Sequence, residues 1–434
     1  MSSYSETLPT EHIARLFPIH RSLTGPGINE SFKYFIEFFD EFSLISFKSG
    51  EQVFDWIIPV TWSAREAYIE HLETNTRYAV LQESNLHLVG YSEAVDMVMD
   101  LSEFRHRIYT IPEKPNSVPY VTSYYERNWG FCLSQNTLTS MPDGKYRVFI
   151  DTTLEDGNLD VMHAVIEGEF SDEVLFASYL CHPSMVNNEL SGPVVLGYVL
   201  EYLKERRVKS KYTYRFVLAP ETIGTVAYLS RYATHLRDRV ACGFVVTCVG
   251  DDRAYSFVKT PKENTLADHA IRAALIGFEN VIEYSFLDRG SDERQYCSPR
   301  INIPVCTFCR SKFGTYSEYH TNDDNISITS DDAIRQSASV LISIIEAIET
   351  CLYPLILTTC EPQLGRRGLY PNISTVTSFE KVRYRSDILA YSDGKTDIFS
   401  MAILLDIPLD LVVAEIRVLI RNSLIQPLWK RTST

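Results

Sequence analysis

His182, Glu189, Glu221, Asp251, Asp292 and His320 are the residues whose types and spacing could do chemistry in this 434-residue sequence. Each lies in a loop beside a short apolar run. Cys181-His182-Pro183 onward follows EVLFASYL, Pro220-Glu221-Thr222 follows YTYRFVLA, and Gly250-Asp251-Asp252 follows ACGFVVTCV. Arg289 to Gln295 precedes IPVCTFCR, and Tyr316 to Thr321 follows it, ahead of Asp323, Asp324 and Asn325. In open α/β sheets, ligand sites form beyond the carboxyl ends of the strands. These loops are therefore expected at one sheet edge. Singly, each has a plainer reading: Glu221 as a first-turn carboxylate favoured by the helix dipole, Asp251-Asp252 as a turn, Asp323-Asp324-Asn325 as caps. Turns and caps alone do not predict five such loops at the same edge. Imidazole and carboxylate donors together suit Zn²⁺, or else Mn²⁺ or Fe²⁺. Zn²⁺ with an open position makes hydroxide near neutral pH, and an unligated Glu can act as base.

The elements that must position these loops alternate as strand, loop and helix from about 130 to 355. The pattern predicts strands at 173–180, 212–219, 241–249 and 303–310, with helices at 193–206, 224–237, 264–276 and 330–350. That is an α/β domain with a mixed, largely parallel sheet and helices on both faces. Residues 1–48 read as helices belonging to the same domain, from Ile13, Leu16 and Phe17 and then Phe32, Phe35 and Phe39 at spacings of three and four. Residues 49–129, rich in aromatics and Pro, read as a small β-rich inserted module. Its Tyr120, Tyr124, Tyr125 and Trp129 are expected to fill a small barrel core, since aromatics dominate such cores; stacking on a sugar is the alternative. Pro354, Pro362, Gly365 and Gly368 mark 352–370 as a linker or crossing segment. Residues 366–434 give three short helical patterns, with Asp397 and Asp410 as N-caps, and read as a winged helix-turn-helix. Its apolar residues predict packing against the α/β domain or a second subunit.

The chain carries 41 Lys+Arg and 56 Asp+Glu, a net charge of −15, which opposes general nucleic-acid binding. The C-terminal 69 residues hold ten Lys/Arg against seven Asp/Glu. Of these only Arg417 and Arg421 fall on the third helix, so a protein-packing role is favoured over DNA contact. Nine scattered cysteines, most of them in strand-like runs, predict a reduced, cytoplasmic protein, and the lone Cys306/Cys309 pair reads as core thiols. The first residues lack the basic and apolar regions of a signal peptide, and no apolar run reaches membrane-spanning length.

The segments YLCHPSMVNNELSGPVV, LAPETIGTVAYL, VVTCVGDDRAYS, DRGSDERQYCSP and YSEYHTNDDN resemble the aminopeptidase-like, zinc-peptidase-like proteins often labelled as polysaccharide-biosynthesis proteins. These are related to the zinc exopeptidases of the MH clan. The resemblance covers nearly the whole chain, including RSLTGPGI, the β-rich insert and the C-terminal winged helix. It implies a zinc-exopeptidase-like fold and a zinc-dependent amidohydrolase acting on a small peptide or acylated amine. The alternative it leaves open is a catalytically degenerate scaffold or binding protein. Two-metal members use a His, a bridging Asp, a second Asp, a Glu and a final His, with a further Glu as base. By resemblance His182 and His320 match the two histidines and Glu221 one of the two adjacent Glu, with Pro220 in place of the other. Asn188 stands at the bridging Asp and Thr247 near the second. The resemblance therefore implies one zinc, with two as the alternative, held by His182, His320 and either Glu189 or Asp251, and Glu221 as base. Asn188, Asp292 and Arg294 are implied as substrate-binding residues. Homo-oligomers are common in the clan, and no membrane partner is implied.

Overall fold

The computed structural model describes residues 3–370 and 376–430. Its centre is an eight-stranded sheet made of β1 (Ser43–Lys48), β2 (Asn158–Ile166), β3 (Glu173–Tyr179), β4 (Thr213–Ala219), β5 (Val240–Val246), β6 (Tyr255–Val258), β7 (Val281–Tyr284) and β8 (Val305–Cys309). The spatial order is β1-β2-β4-β3-β5-β8-β6-β7. The middle four strands, β4, β3, β5 and β8, run parallel, while β2 against β4 and β6 against β8 are antiparallel. Every residue of β3 and of β4 is buried, as expected for strands covered on both faces. The four strands predicted from sequence are these middle four. The outer β6 and β7 are four residues each and carry no period long enough to read.

The crossover helices are α1 (Ser191–Glu205), α2 (Ile223–Arg239), α3 (Leu266–Ala274) and α4 (Asp331–Thr350). Gly192 opens α1 because a Cβ there would stand 2.2 Å from the Val246 carbonyl oxygen on the neighbouring strand. The sheet is clamped between β3 and β4 by a buried fork: Arg215 Nε and Nη2 donate to the two carboxylate oxygens of Glu173 at 2.6 and 2.8 Å. His235 on α2 approaches the same carboxylate at 2.6 Å. Burial pushes Glu173 up, but the Arg215 and His235 contacts outweigh it and hold the carboxyl below its ordinary value of 4.5. A depressed folded pKa contributes stability above the unfolded value and loses it as pH falls through the folded one. Glu173→Gln is therefore expected to lose about 3 kcal/mol at pH 7, as for a broken buried pair. The gap to wild type should shrink as denaturant midpoints are followed below pH 4.5. A gap independent of pH would assign the loss to packing.

The module inserted after β1 is a four-stranded antiparallel sheet, ordered Thr76–Tyr78, Thr61–His71, Lys145–Glu155, Val95–Asp100. It draws on Lys145–Glu155 as well as on residues 49–129. After α4, strand Tyr353–Ile356 pairs with Ile425–Leu428 and frames three helices, α5 (Val376–Ala390), α6 (Ile398–Leu405) and α7 (Leu409–Arg421). Asp397 caps α6 through the amides of Phe399 and Ser400. Asp410 lies in the first turn of α7, whose cap is Pro408, because Pro fixes the extended backbone just before a helix.

This C-terminal unit packs on the α/β body. Ser400 Oγ lies 3.0 Å from His269 Nδ1 on α3. Arg417 on α7 pairs with Glu346 and donates to Thr350 Oγ1 on α4. Trp429 Nε1 donates to the Ile348 carbonyl at 2.8 Å. All nine cysteines are free thiols, eight of them buried. No described helix is long and apolar enough to cross a membrane.

Candidate active site

His182 begins the loop after β3, and its ring is fixed from behind. Nδ1 is 2.8 Å from Glu189 Oε2, and Glu189 Oε1 accepts the Cys181 amide. Glu189 comes from a π-helical turn, Val186–Leu190, that leads into α1. Such turns are frequent at functional sites. The turn is held by Asp324, which accepts the amides of Val186, Asn187 and Asn188 at 3.1, 2.6 and 3.0 Å and the Tyr316 hydroxyl at 2.9 Å. Arg21, 1 % exposed, donates through Nε to the His182 carbonyl at 3.0 Å and through Nη1 to the Leu16 carbonyl at 2.6 Å.

With Nδ1 engaged, Nε2 of His182 faces forward, 3.8 Å from Glu221 Oε2. Glu221 Oε1 accepts Ser291 Oγ at 3.0 Å, and its side chain is 22 % exposed at the cavity mouth. The His320 ring centroid lies 5.4 Å from that of His182, and Tyr319 stacks on His320 at 3.9 Å. Neither ring nitrogen of His320 has a hydrogen bond among the described residues. The loops are held in sparsely populated backbone: Ser184, Thr222 and His320 have φ of 46, 65 and 56°. For a β-branched residue such as Thr222 this is a genuine outlier, and such strain gathers at functional sites. Thr222 is pinned by its amide donating to Asp292 Oδ1 at 2.8 Å and by Arg294 Nη2 donating to its hydroxyl at 2.6 Å.

The charges follow from burial and proximity. Burial opposes the His182 cation, yet Cys181 and Glu189 hold it well above its usual value. Burial and the charge of His182 lower His320 to about 3. Burial raises Glu221, against the pull of His182 and Ser291. Burial and the neighbouring Glu221 raise Asp292 to about 8.

The structure thus brings His182, Glu189, Glu221 and His320 together and leaves Asp251 out. Asp251 is 1 % exposed, and its oxygens accept Asn187 Nδ2, the Ser311 amide and hydroxyl, and the Arg253 amide. It is a loop brace whose two oxygens each already accept two hydrogen bonds. Asn188 is likewise turned inward, accepting the Tyr179 hydroxyl at 2.8 Å. Cys181, His182 and Glu189 are close enough to form a metal-sized cluster, but both Glu189 oxygens are engaged and burial pushes the Cys181 thiol up to about 11. His182 Nε2, Glu221 and His320 offer zinc-type donors, two imidazoles and a carboxylate, with Glu189 orienting the first histidine from behind, though their donor atoms are spread wider than those of the Cys181 cluster.

A cavity of about 330 Å³ opens in front of this set, lined by Tyr120, Tyr124, Tyr125, Trp56, Thr222 and Arg294 among others. Tyr120, Tyr124 and Tyr125 of the inserted module therefore line the site; the core expectation holds in part, since Tyr124 and Trp129 also pack against the main core and Tyr120 against a smaller buried cluster. The module is tied down here: the Tyr120 amide donates to the His320 carbonyl at 2.9 Å, and the Val118 amide to Asn322 Oδ1 at 2.7 Å. Sequence reasoning missed Arg21 and the bracing role of Asp324. RSLTGPGI reads as a turn, and only the fold carries it to His182.

The chain matches the family described as "Domain of unknown function (DUF4910)" over residues 10–351 and a winged helix-turn-helix over 352–427. A Clostridium acetobutylicum protein named as a polysaccharide biosynthesis protein with an aminopeptidase-like domain is 37% identical over 394 residues, covering 90% of this chain and 89% of its own. A crystal structure from Clostridium acetobutylicum, described as a peptidase, has 34% identity and a TM-score of 0.89, covering 98% of this chain and 96% of its own. A zinc aminopeptidase from Bacillus subtilis superimposes with a TM-score of 0.55 at 12% identity, covering 79% of this chain and 94% of its own. At that identity it speaks for the fold alone.

Proposed function

This chain belongs to the family of the domain of unknown function DUF4910, built on an aminopeptidase-like fold, and from that premise we propose that it is a zinc-dependent amidohydrolase of small substrates. The observation that carries the reading is the forward-facing Nε2 of His182, 3.8 Å from Glu221 Oε2, with Glu189 behind it and His320 alongside. His182, Glu221 and His320 would hold one zinc. Bound there, zinc would supply a Lewis acid for the scissile carbonyl and a water acidic enough to ionise near neutral pH.

The chain's own groups do the rest. Glu189 keeps the His182 tautomer and aim. Ser291 Oγ orients Glu221. Asp292, raised to about 8, holds a proton at its carboxyl beside Glu221 and keeps the Thr222 turn in place. Arg294 stands at the rim to pair with a substrate carboxylate or oxyanion. Tyr120, Tyr124 and Tyr125 exclude water and bind the acyl or sugar portion. The substrate is a small peptide or an acylated amine, and the relative's link to polysaccharide biosynthesis supports an acylated amino sugar among the latter. A cytoplasmic setting and a homo-oligomer are in keeping with this reading. The docking of α7 onto α4 supports a role for the winged helix in protein packing over DNA contact.

The test is metal content per chain after purification without chelating resin. One equivalent of zinc is expected in wild type and well below one in His320→Ala. Two equivalents would point to a second ion, and no zinc after dialysis against zinc would favour a binding scaffold.

A further inference from the structure

We propose that the ligand of this site is anionic, its carboxylates lying in a cationic trough that runs from the cavity mouth over the outer face of α2. The proposal deepens the hydrolase reading and rests on its cavity. Trp56 lines both that cavity and a hollow of about 640 Å³ between the hairpin of Gln52–Val53 and Trp56–Ile57 and helix α2. Arg294 likewise lines both the cavity and a hollow of about 800 Å³ beside the loop at Pro261. Ser298 is common to the two outer hollows.

The charges lining these hollows run against the rest of the chain. Arg231, Arg237, Arg300, Lys262, Arg289 and Arg294 face one carboxylate, Asp55, on a protein of net charge −15. Arg231 is 3.6 Å from Glu51, the single ion pair of the set among the described residues. Arg237 and Arg289 donate only to backbone carbonyls, of Ile301 and Phe286, and Arg294 only to Thr222 Oγ1. Most of these guanidinium donors are thus left to solvent. A cleft of one sign focuses the field and concentrates the opposite charge, and guanidinium forks match carboxylates. Between the cations and the cavity, Phe54, Trp56 and Tyr125 are 54, 37 and 55 % exposed. They offer faces to the uncharged stretch of a ligand chain. An acidic peptide and an acidic saccharide share this chemistry.

The experiment is binding of four labelled probes to zinc-loaded, full-length protein by fluorescence anisotropy, at low and high salt: tetraglutamate, tetraglutamine, tetragalacturonate and maltotetraose. At least one acidic probe is expected to bind more than about tenfold tighter than its neutral counterpart at low salt, with the gap closing at high salt. Preference for tetraglutamate alone identifies a peptide, and for tetragalacturonate alone a saccharide. Arg237→Glu/Arg300→Glu should erase the preference while zinc content and unfolding midpoint stay at wild-type values. Equal binding of acidic and neutral probes, or a preference that survives the double charge reversal, overturns the proposal. Metal content and hydrolysis are read separately. A protein without hydrolysis that still prefers acidic probes sinks the hydrolase reading alone, and hydrolysis without the preference sinks this one alone.

Discussion

Glu221→Gln is expected to purify with less than one zinc per chain and to lose at least about a hundredfold in any amide hydrolysis the wild type shows. The zinc loss follows from the donor count. In front of His182, the described residues offer two imidazoles and one carboxylate, and the neutral amide of Gln is a poor donor for zinc beside them. Changing a residue that only orients a metal ligand weakens metal binding about 10–100-fold, and removal of a ligand should exceed that. The substitution is nearly isosteric, so the Ser291 hydroxyl keeps an oxygen to donate to and the Thr222 turn is undisturbed. Paired elemental analysis and hydrolysis assays separate the outcomes. Full zinc with hydrolysis lost would return Glu221 to the role of base, as the family resemblance implies. Unchanged zinc and unchanged hydrolysis would remove it from the site altogether.

The parts of this molecule that were legible in sequence are those governed by local period. β3, β4, β5 and β8 are continuous apolar runs followed by helical spacing, and each appears within a residue or two at most ends. The loops after them could be named as site loops because strand polarity alone puts them at one edge. What sequence could not supply is direction. Asp251 and Glu189 are both carboxylates in such loops, yet one braces Asn187 and Ser311 while the other stands behind His182. Only the turn geometry decides between them. The tyrosines of the insert show the same limit. Composition favours a barrel core, whereas the pairing of Pro119 with Thr321 swings Tyr120 over the histidines. The strand Tyr353–Ile356 hides in a segment whose Pro354 reads as a linker, because a two-stranded ribbon at a domain margin tolerates a proline that a central strand would not.

Asp324→Ala is expected to cost the largest stability of any single change near the site. Asp324 is fully buried and satisfies the amides of Val186, Asn187 and Asn188 together with the Tyr316 hydroxyl. Alanine leaves the buried Asn187 and Asn188 amides without acceptors, at about 1–3 kcal/mol each, or roughly 2–6 kcal/mol before relaxation or water entry reduces it, while the Val186 amide keeps the Asp324 backbone carbonyl at 3.2 Å. These amides begin the turn that presents Glu189, so the loss is not confined to folding. If the turn relaxes, Glu189 withdraws from His182 Nδ1, the imidazole is free to rotate, and zinc affinity falls even in the molecules that remain folded. Asp324→Asn keeps one acceptor oxygen in a side chain of the same size and should fall between wild type and alanine on both scales. Denaturant unfolding and zinc titration of the three proteins check this. Stability and zinc affinity falling together in the order Asp, Asn, Ala would tie the brace to the site. Lost stability with undiminished zinc affinity would show that His182 holds its aim without Glu189 being held in place.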